Sequence, residues 1–139
     1  MTATSPSRTA GILADSTDSL LRFAMRLDAT LTGVCGLAVA AFANPLAGLT
    51  GLTPTTGYVV GAALVLYGVV VFGLAALPRV RTAGMAVVVA NLVCTVGAVL
   101  VVVEGIAPLT GLGVAAALGS AVYTTVFAVL QYFGVRRLA

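Results

Sequence analysis

One aspartate falls inside an otherwise apolar stretch, in the string LRFAMRLDATLTG at 21–33. Helical spacing puts Asp28, Thr32 and Cys35 on one stripe. An ionisable group within a membrane span is a functional candidate by default, for example in proton or cation handling, because its insertion is costly. Counting residues places Asp28 about one turn inside the span, with Gln131 at similar depth near the other end of the chain. A carboxylate there can reach water, pair with an arginine or accept a hydrogen bond from Gln131, so the spacing favours a polar clamp.

Other polar residues recur at helical spacing. Asn91, Cys94, Thr95 and Ala98 form one stripe; Ser120, Thr124 and Gln131 form another, with Phe127 between. Tyr67 and Asn91 are expected near the membrane midplane. Facing stripes of this kind hydrogen-bond helices together, at about 0.6 kcal/mol per bond on average. Alternatively they line a polar face that binds a small amphipathic or quinone-like molecule.

Much chemistry is excluded. The chain has no histidine, and its four acids include three before residue 29. Imidazole ligation, histidine acid–base work and an ordinary carboxylate metal site are out of reach. There is no glycine-rich phosphate loop. No catalytic residue, metal ligand or cofactor site is expected, and an enzyme is disfavoured. Cys35 and Cys94 form no C-x-x-C pair and read as small packing residues, since thiolates are disfavoured in hydrocarbon.

The elements that carry these residues follow from composition. The 139 residues are 60% hydrophobic and 8% charged, against about 25% charged in a soluble domain. Lipid is the solvent that suits such a surface. Residues 1–18 read as a polar, mobile tail ending in the helix-start residues Asp15 to Asp18, with a helix beginning near Ser19. Residues 19–139 form the membrane domain, with spans at about 23–43, 57–77, 82–103 and 111–135. Asn44-Pro45 should end the first span, and 44–56 should be an uncharged loop. The fold class is all-α, an antiparallel transmembrane bundle of four helices, each packed on its neighbour in sequence.

Arginines set the orientation. Arg8, Arg22 and Arg26 precede or open the first span, Arg79 and Arg81 join the second to the third, and Arg136 and Arg137 follow the fourth. The positive-inside rule puts all of them, and both termini, in the cytoplasm. Richness in Ala, Val, Gly, Leu and Arg points to a GC-rich bacterium, hence an inner membrane. The arginines read as contacts to anionic lipid head groups rather than to nucleic acid. Gly57, Gly61 and Gly68 make one small-residue packing face; Gly111, Ala115 and Gly119 make a second. They would pack within the chain, with homo-oligomers or other membrane proteins as further partners.

Ala41-Phe42-Ala43 also resembles a small-residue cleavage site, which would leave three spans. PLAGL at 45–49 returns as PLTGL at 108–112, consistent with a duplicated hairpin or with chance.

LRFAMRLDATLTG at 21–33 and LQYFGVRR at 130–137 resemble the two ends of small four-helix membrane proteins of actinobacteria that carry no assigned activity. The resemblance marks Arg22, Arg26, Asp28, Gln131, Arg136 and Arg137. The layout is also similar to the DoxX group, with an arginine-bearing first span, an N-P-L loop and a glycine-rich second span. That resemblance implies a membrane redox or thiol-stress complex. The acid of that group's second span has no counterpart, because 61–73 holds only apolar residues and Tyr67. Small multidrug transporters share the size and helix count, and use a carboxylate deep in the first span. The leading expectation is a non-enzymatic accessory or scaffold subunit, followed by a binder or transporter of a small amphipathic molecule and by a DoxX-like redox component.

Overall fold

The computed structural model describes residues 6–138, with side chains from residue 17 onward. It contains α1 (Pro6–Ala41), α2 (Ala43–Thr50), α3 (Pro54–Leu74), α4 (Arg81–Val103) and α5 (Gly111–Arg136). The fold is all-α. Residues 17–41 of α1, together with α3, α4 and α5, are long and apolar enough to cross a bilayer. The chain is a small multi-pass membrane protein.

Two boundaries around the first span differ from the sequence expectation, and α3 runs over 54–74 rather than 57–77 because Thr53 and Pro54 start it early. The first helix begins at Pro6 rather than near Ser19. Proline is suited to a first turn because its missing N–H is not needed there, and no strong breaker follows before the span. Residues 1–5 of the expected tail lie outside the described residues. The stretch after Ala43 is not all loop, because α2 occupies 43–50. Pro45 is the third residue of α2, a position whose N–H would have no intrahelical acceptor, so its absence costs nothing. Phe42 makes the corner while its N–H still donates to Ala38 O at 2.9 Å. Gly51 then closes α2 in the left-handed region, at φ 85°, a conformation that glycine adopts without Cβ strain.

Threonines start α3 and α5. Thr53 accepts from Thr56 N at 3.2 Å, with Pro54 as the first helical residue of α3. Thr110 accepts from Gly113 N at 3.1 Å. The same Thr110 donates its hydroxyl to Leu49 O and its N–H to Thr50 O, so α2 is fastened to the start of α5.

The packing order is α3, α1, α5, α4. The most extensive interfaces are α1 with α3 and α4 with α5, and α1 also lies along α5. By contrast α3 and α4 scarcely touch, although a short turn joins them. The expectation that every sequential pair would pack fails at this pair. Glycine explains the preference: at the crossing of α1 and α3, a Cβ on Gly36 would meet Gly61 O at 2.7 Å, and one on Gly61 would meet Gly36 O at 2.7 Å. Backbones that close exclude any side chain. Gly57 and Gly68 extend the same face against Ala43, Ala29 and Gly33.

The predicted second face does not pack within the chain. Added Cβ atoms on Gly111 and Gly119 would meet nothing within 4 Å, and Ala115 is exposed. The register of α5 instead turns Gly113 onto Thr50 and Gly134 onto Leu21.

Burial is uneven along the bundle. Leu21, Met25, Ala29, Val71, Ala75, Val80, Val87 and Val135 form one cluster, toward the end that carries the arginines. Large apolar side chains elsewhere face outward: Val103 is 70% exposed and Val69 66%. Such a surface is suited to hydrocarbon and not to water.

Candidate functional site: a polar node around Asp28

Asp28 is fully buried, and all four spanning helices meet at its carboxylate. Oδ2 accepts from Tyr67 Oη of α3 at 2.8 Å, Asn91 Nδ2 of α4 at 3.0 Å and Gln131 Nε2 of α5 at 2.9 Å. Oδ1 accepts from Thr32 Oγ1, one turn along α1, at 3.1 Å and from Tyr123 Oη of α5 at 3.0 Å. The Tyr123 hydroxyl also lies 2.9 Å from Thr32 Oγ1. Asn91 Nδ2 donates in addition to Gln131 Oε1 at 2.9 Å, which closes the ring of amides.

This shell is complementary to a carboxylate, which takes acceptor bonds only. Hydrogen bonds to charged groups contribute about 1.5–3 kcal/mol each, and several are needed to offset the loss of hydration. Gln131 is also fully buried and Asn91 is 2% exposed. Among the described residues, no buried side-chain oxygen or nitrogen lacks a partner.

Asp28 bonds directly to Tyr67 and Asn91, the two residues expected near the midplane. Arg22 marks the end of α3, and Asp28 lies six residues beyond it, about 9 Å deeper along the helix axis. Among the described residues no arginine pairs with Asp28; Arg22 pairs instead with Asp18 at 3.0 Å. Tyr123 is the participant that sequence reasoning missed. Its signal was the spacing Tyr123, Phe127, Gln131, which is one face of α5 at successive turns; its ring stacks on Phe127 with centroids 4.7 Å apart.

A second polar contact lies beside the node. Thr95 Oγ1 of α4 lies 2.6 Å from Thr124 Oγ1 and 3.2 Å from Thr125 Oγ1 of α5, and donates to Asn91 O at 3.0 Å. Ser120 does not join either group. Its hydroxyl donates back to Ala116 O at 2.9 Å.

The arginines divide by role. Arg22 Nη1 donates to Ala75 O at 2.8 Å and Leu77 O at 2.6 Å, and Nη2 to Pro78 O at 3.2 Å. It caps carbonyls that the end of α3 leaves without helical partners, so it is a structural contact rather than the lipid contact expected. Arg136 lies 5.9 Å from the ring centre of Tyr132. Arg26, Arg79, Arg81, Arg136 and Arg137 are exposed, as lipid-head-group contacts require.

Chemically, the node holds helices. Among the described residues, no group of three or more His, Cys, Asp or Glu could hold a metal. Cys35 and Cys94 are both exposed and unpaired, so the packing role expected of them is not seen. No protein-family description, curated protein or solved structure matches the chain.

Proposed function

We propose that the protein is a non-enzymatic accessory or scaffold subunit of a bacterial inner membrane, with both termini in the cytoplasm. One observation carries the reading: the only acid buried among the described residues is saturated by donors from every spanning helix. A transport carboxylate must exchange partners with its cargo, whereas this one is engaged throughout. The orientation is supported by the gathering of the arginine-bearing segments at one end, where Arg22 bonds the 75–78 turn and Leu138 lies against the cluster containing Val80.

Exposed arginines on that rim suit anionic lipid head groups or the acidic surface of another membrane protein. The outward stripe of Gly111, Ala115 and Gly119 leaves room for a neighbouring helix. Purification from native membranes in mild detergent tests the reading. A defined complex containing a second membrane protein is expected. Recovery of free monomer alone, under conditions that keep other membrane complexes intact, would sink it.

A further inference from the structure

The half of the bundle away from the arginines is hollow. A cavity of about 340 Å³ lies between the outer parts of α1, α3 and α5, with α2 above it. Cys35 and Val39 of α1, Val60 and Leu64 of α3, and Ala117 of α5 line it, while α4 contributes Val101 alone. Its open side therefore falls where α3 and α4 fail to pack.

The hydroxyls around it are already engaged. Thr50 donates to Leu46 O at 2.8 Å, Ser120 donates to Ala116 O at 2.9 Å, and Thr53 Oγ1 lies 2.9 Å from Thr56 Oγ1. Each is spent on its own helix, so the wall presents hydrocarbon and asks for no hydrogen bond. Such a wall excludes water, which needs two to four polar partners. It also gives no anchor to a ligand with a polar group at its buried end. An empty apolar cavity forfeits dispersion contacts on every wall. The surrounding solvent, at the open side, is lipid.

We infer that this cavity is a lipid site, which takes the terminal part of one acyl chain admitted from the bilayer between α3 and α4. A methylene takes up nearly the same ~30 Å³ as a liquid water, so the volume holds roughly ten carbons. The chain end lies against Cys35 and Ala117, and the head group stays at the membrane surface beside α2. The inference is independent of any protein partner.

The whole chain, purified in digitonin, whose rigid steroid body has no alkyl tail, is incubated with traces of a phosphatidylcholine bearing a diazirine near the end of one chain. Detergent then replaces the ordinary lipid annulus. After irradiation, cross-links are expected on Leu64, Val101 and Ala117 at least five times as often as on Val93, which faces outward at 64% exposure. Ala117→Phe fills the cavity and should cut the cavity cross-links about five-fold; Val93→Phe should not change them. Excess dodecane should compete, because only hydrocarbon is recognised. Cys35→Phe reads the same site from α1 should Ala117→Phe not fold. Equal labelling of Val93 and the cavity, or cavity labelling that survives both filling variants, would overturn the inference. So would failure of dodecane to compete.

Discussion

The side-chain amides of Asn91 and Gln131 bond each other at 2.9 Å and also converge on the same carboxylate oxygen of Asp28. Two helices that are adjacent in sequence are thereby locked in register by a residue from a third. The arrangement makes Asp28 the common acceptor of the bundle and leads to graded consequences for its replacement.

Asp28→Asn keeps an oxygen for Tyr67, Asn91 and Gln131, and can offer its amide to the Thr32 and Tyr123 hydroxyls, which are able to accept. The expected loss is about 1–2 kcal/mol, from weaker bonds once the charge is gone. Asp28→Leu strands every donor and should cost about 3 kcal/mol or more. Thermal or denaturant unfolding in detergent, with membrane abundance alongside, reads both. Wild-type stability for the leucine variant would rule out the node as a clamp.

Moving the acid tests the same geometry. Asn91→Asp places a second carboxylate beside the first and should be destabilising by itself. Combined with Asp28→Asn, it restores one acid and one amide in contact. The double variant should be more stable than the sum of the two single losses predicts, by about 0.5–3 kcal/mol, the usual range for coupled neighbours. Strict additivity in this cycle would argue against direct contact.

Glycine positions divide sharply. Gly61→Ala drives a methyl into Gly36 O and should cost about 1–3 kcal/mol, because backbone cannot step aside as a side chain does. Gly119→Ala and Gly97→Ala meet nothing within 4 Å and should change monomer stability by no more than about 0.5 kcal/mol. Equal effects at Gly61 and Gly97 would contradict the α1–α3 crossing.

Arg22 is expected to behave as a cap. Arg22→Ala removes three bonds to the carbonyls of Ala75, Leu77 and Pro78 and should lower stability by about 1–2 kcal/mol. Arg22→Lys should recover less than half of that, since one ammonium cannot reproduce a guanidinium fork. A full recovery would mean that charge alone is required.

Orientation has a direct readout. With Cys35 and Cys94 changed to Ser, Ile106→Cys in the α4–α5 loop should react with a membrane-impermeant maleimide on intact cells. A cysteine at Arg79 in the α3–α4 turn should react only after the cells are opened. The reverse pattern would invert the topology.

The spans were legible in the sequence because apolar runs bounded by arginine, proline and threonine leave few alternatives. Those at 82–103 and 111–135 agree with α4 and α5 to within a residue at each end. Asp28 and Gln131 were legible as partners from matching depth. Tyr67 and Asn91 were not legible as direct partners of Asp28, because residue counting fixes depth along a helix and not the reach of a side chain. Tyr123 was overlooked because an aromatic residue in a span reads as apolar, although its hydroxyl bonds the node. The outward turn of Gly111, Ala115 and Gly119 was not legible: periodicity defines a face, but only the partner helices decide which face is covered.

The scattered origin of the Asp28 shell also bears on biosynthesis. Its donors are at residues 32, 67, 91, 123 and 131, so the acid enters the bilayer long before its last partners have been translated. A polypeptide that stops before α5 lacks the Tyr123 and Gln131 donors and leaves the carboxylate with Thr32, Tyr67 and Asn91 alone. Full satisfaction of an acid in the first span therefore waits on the last helix to be made.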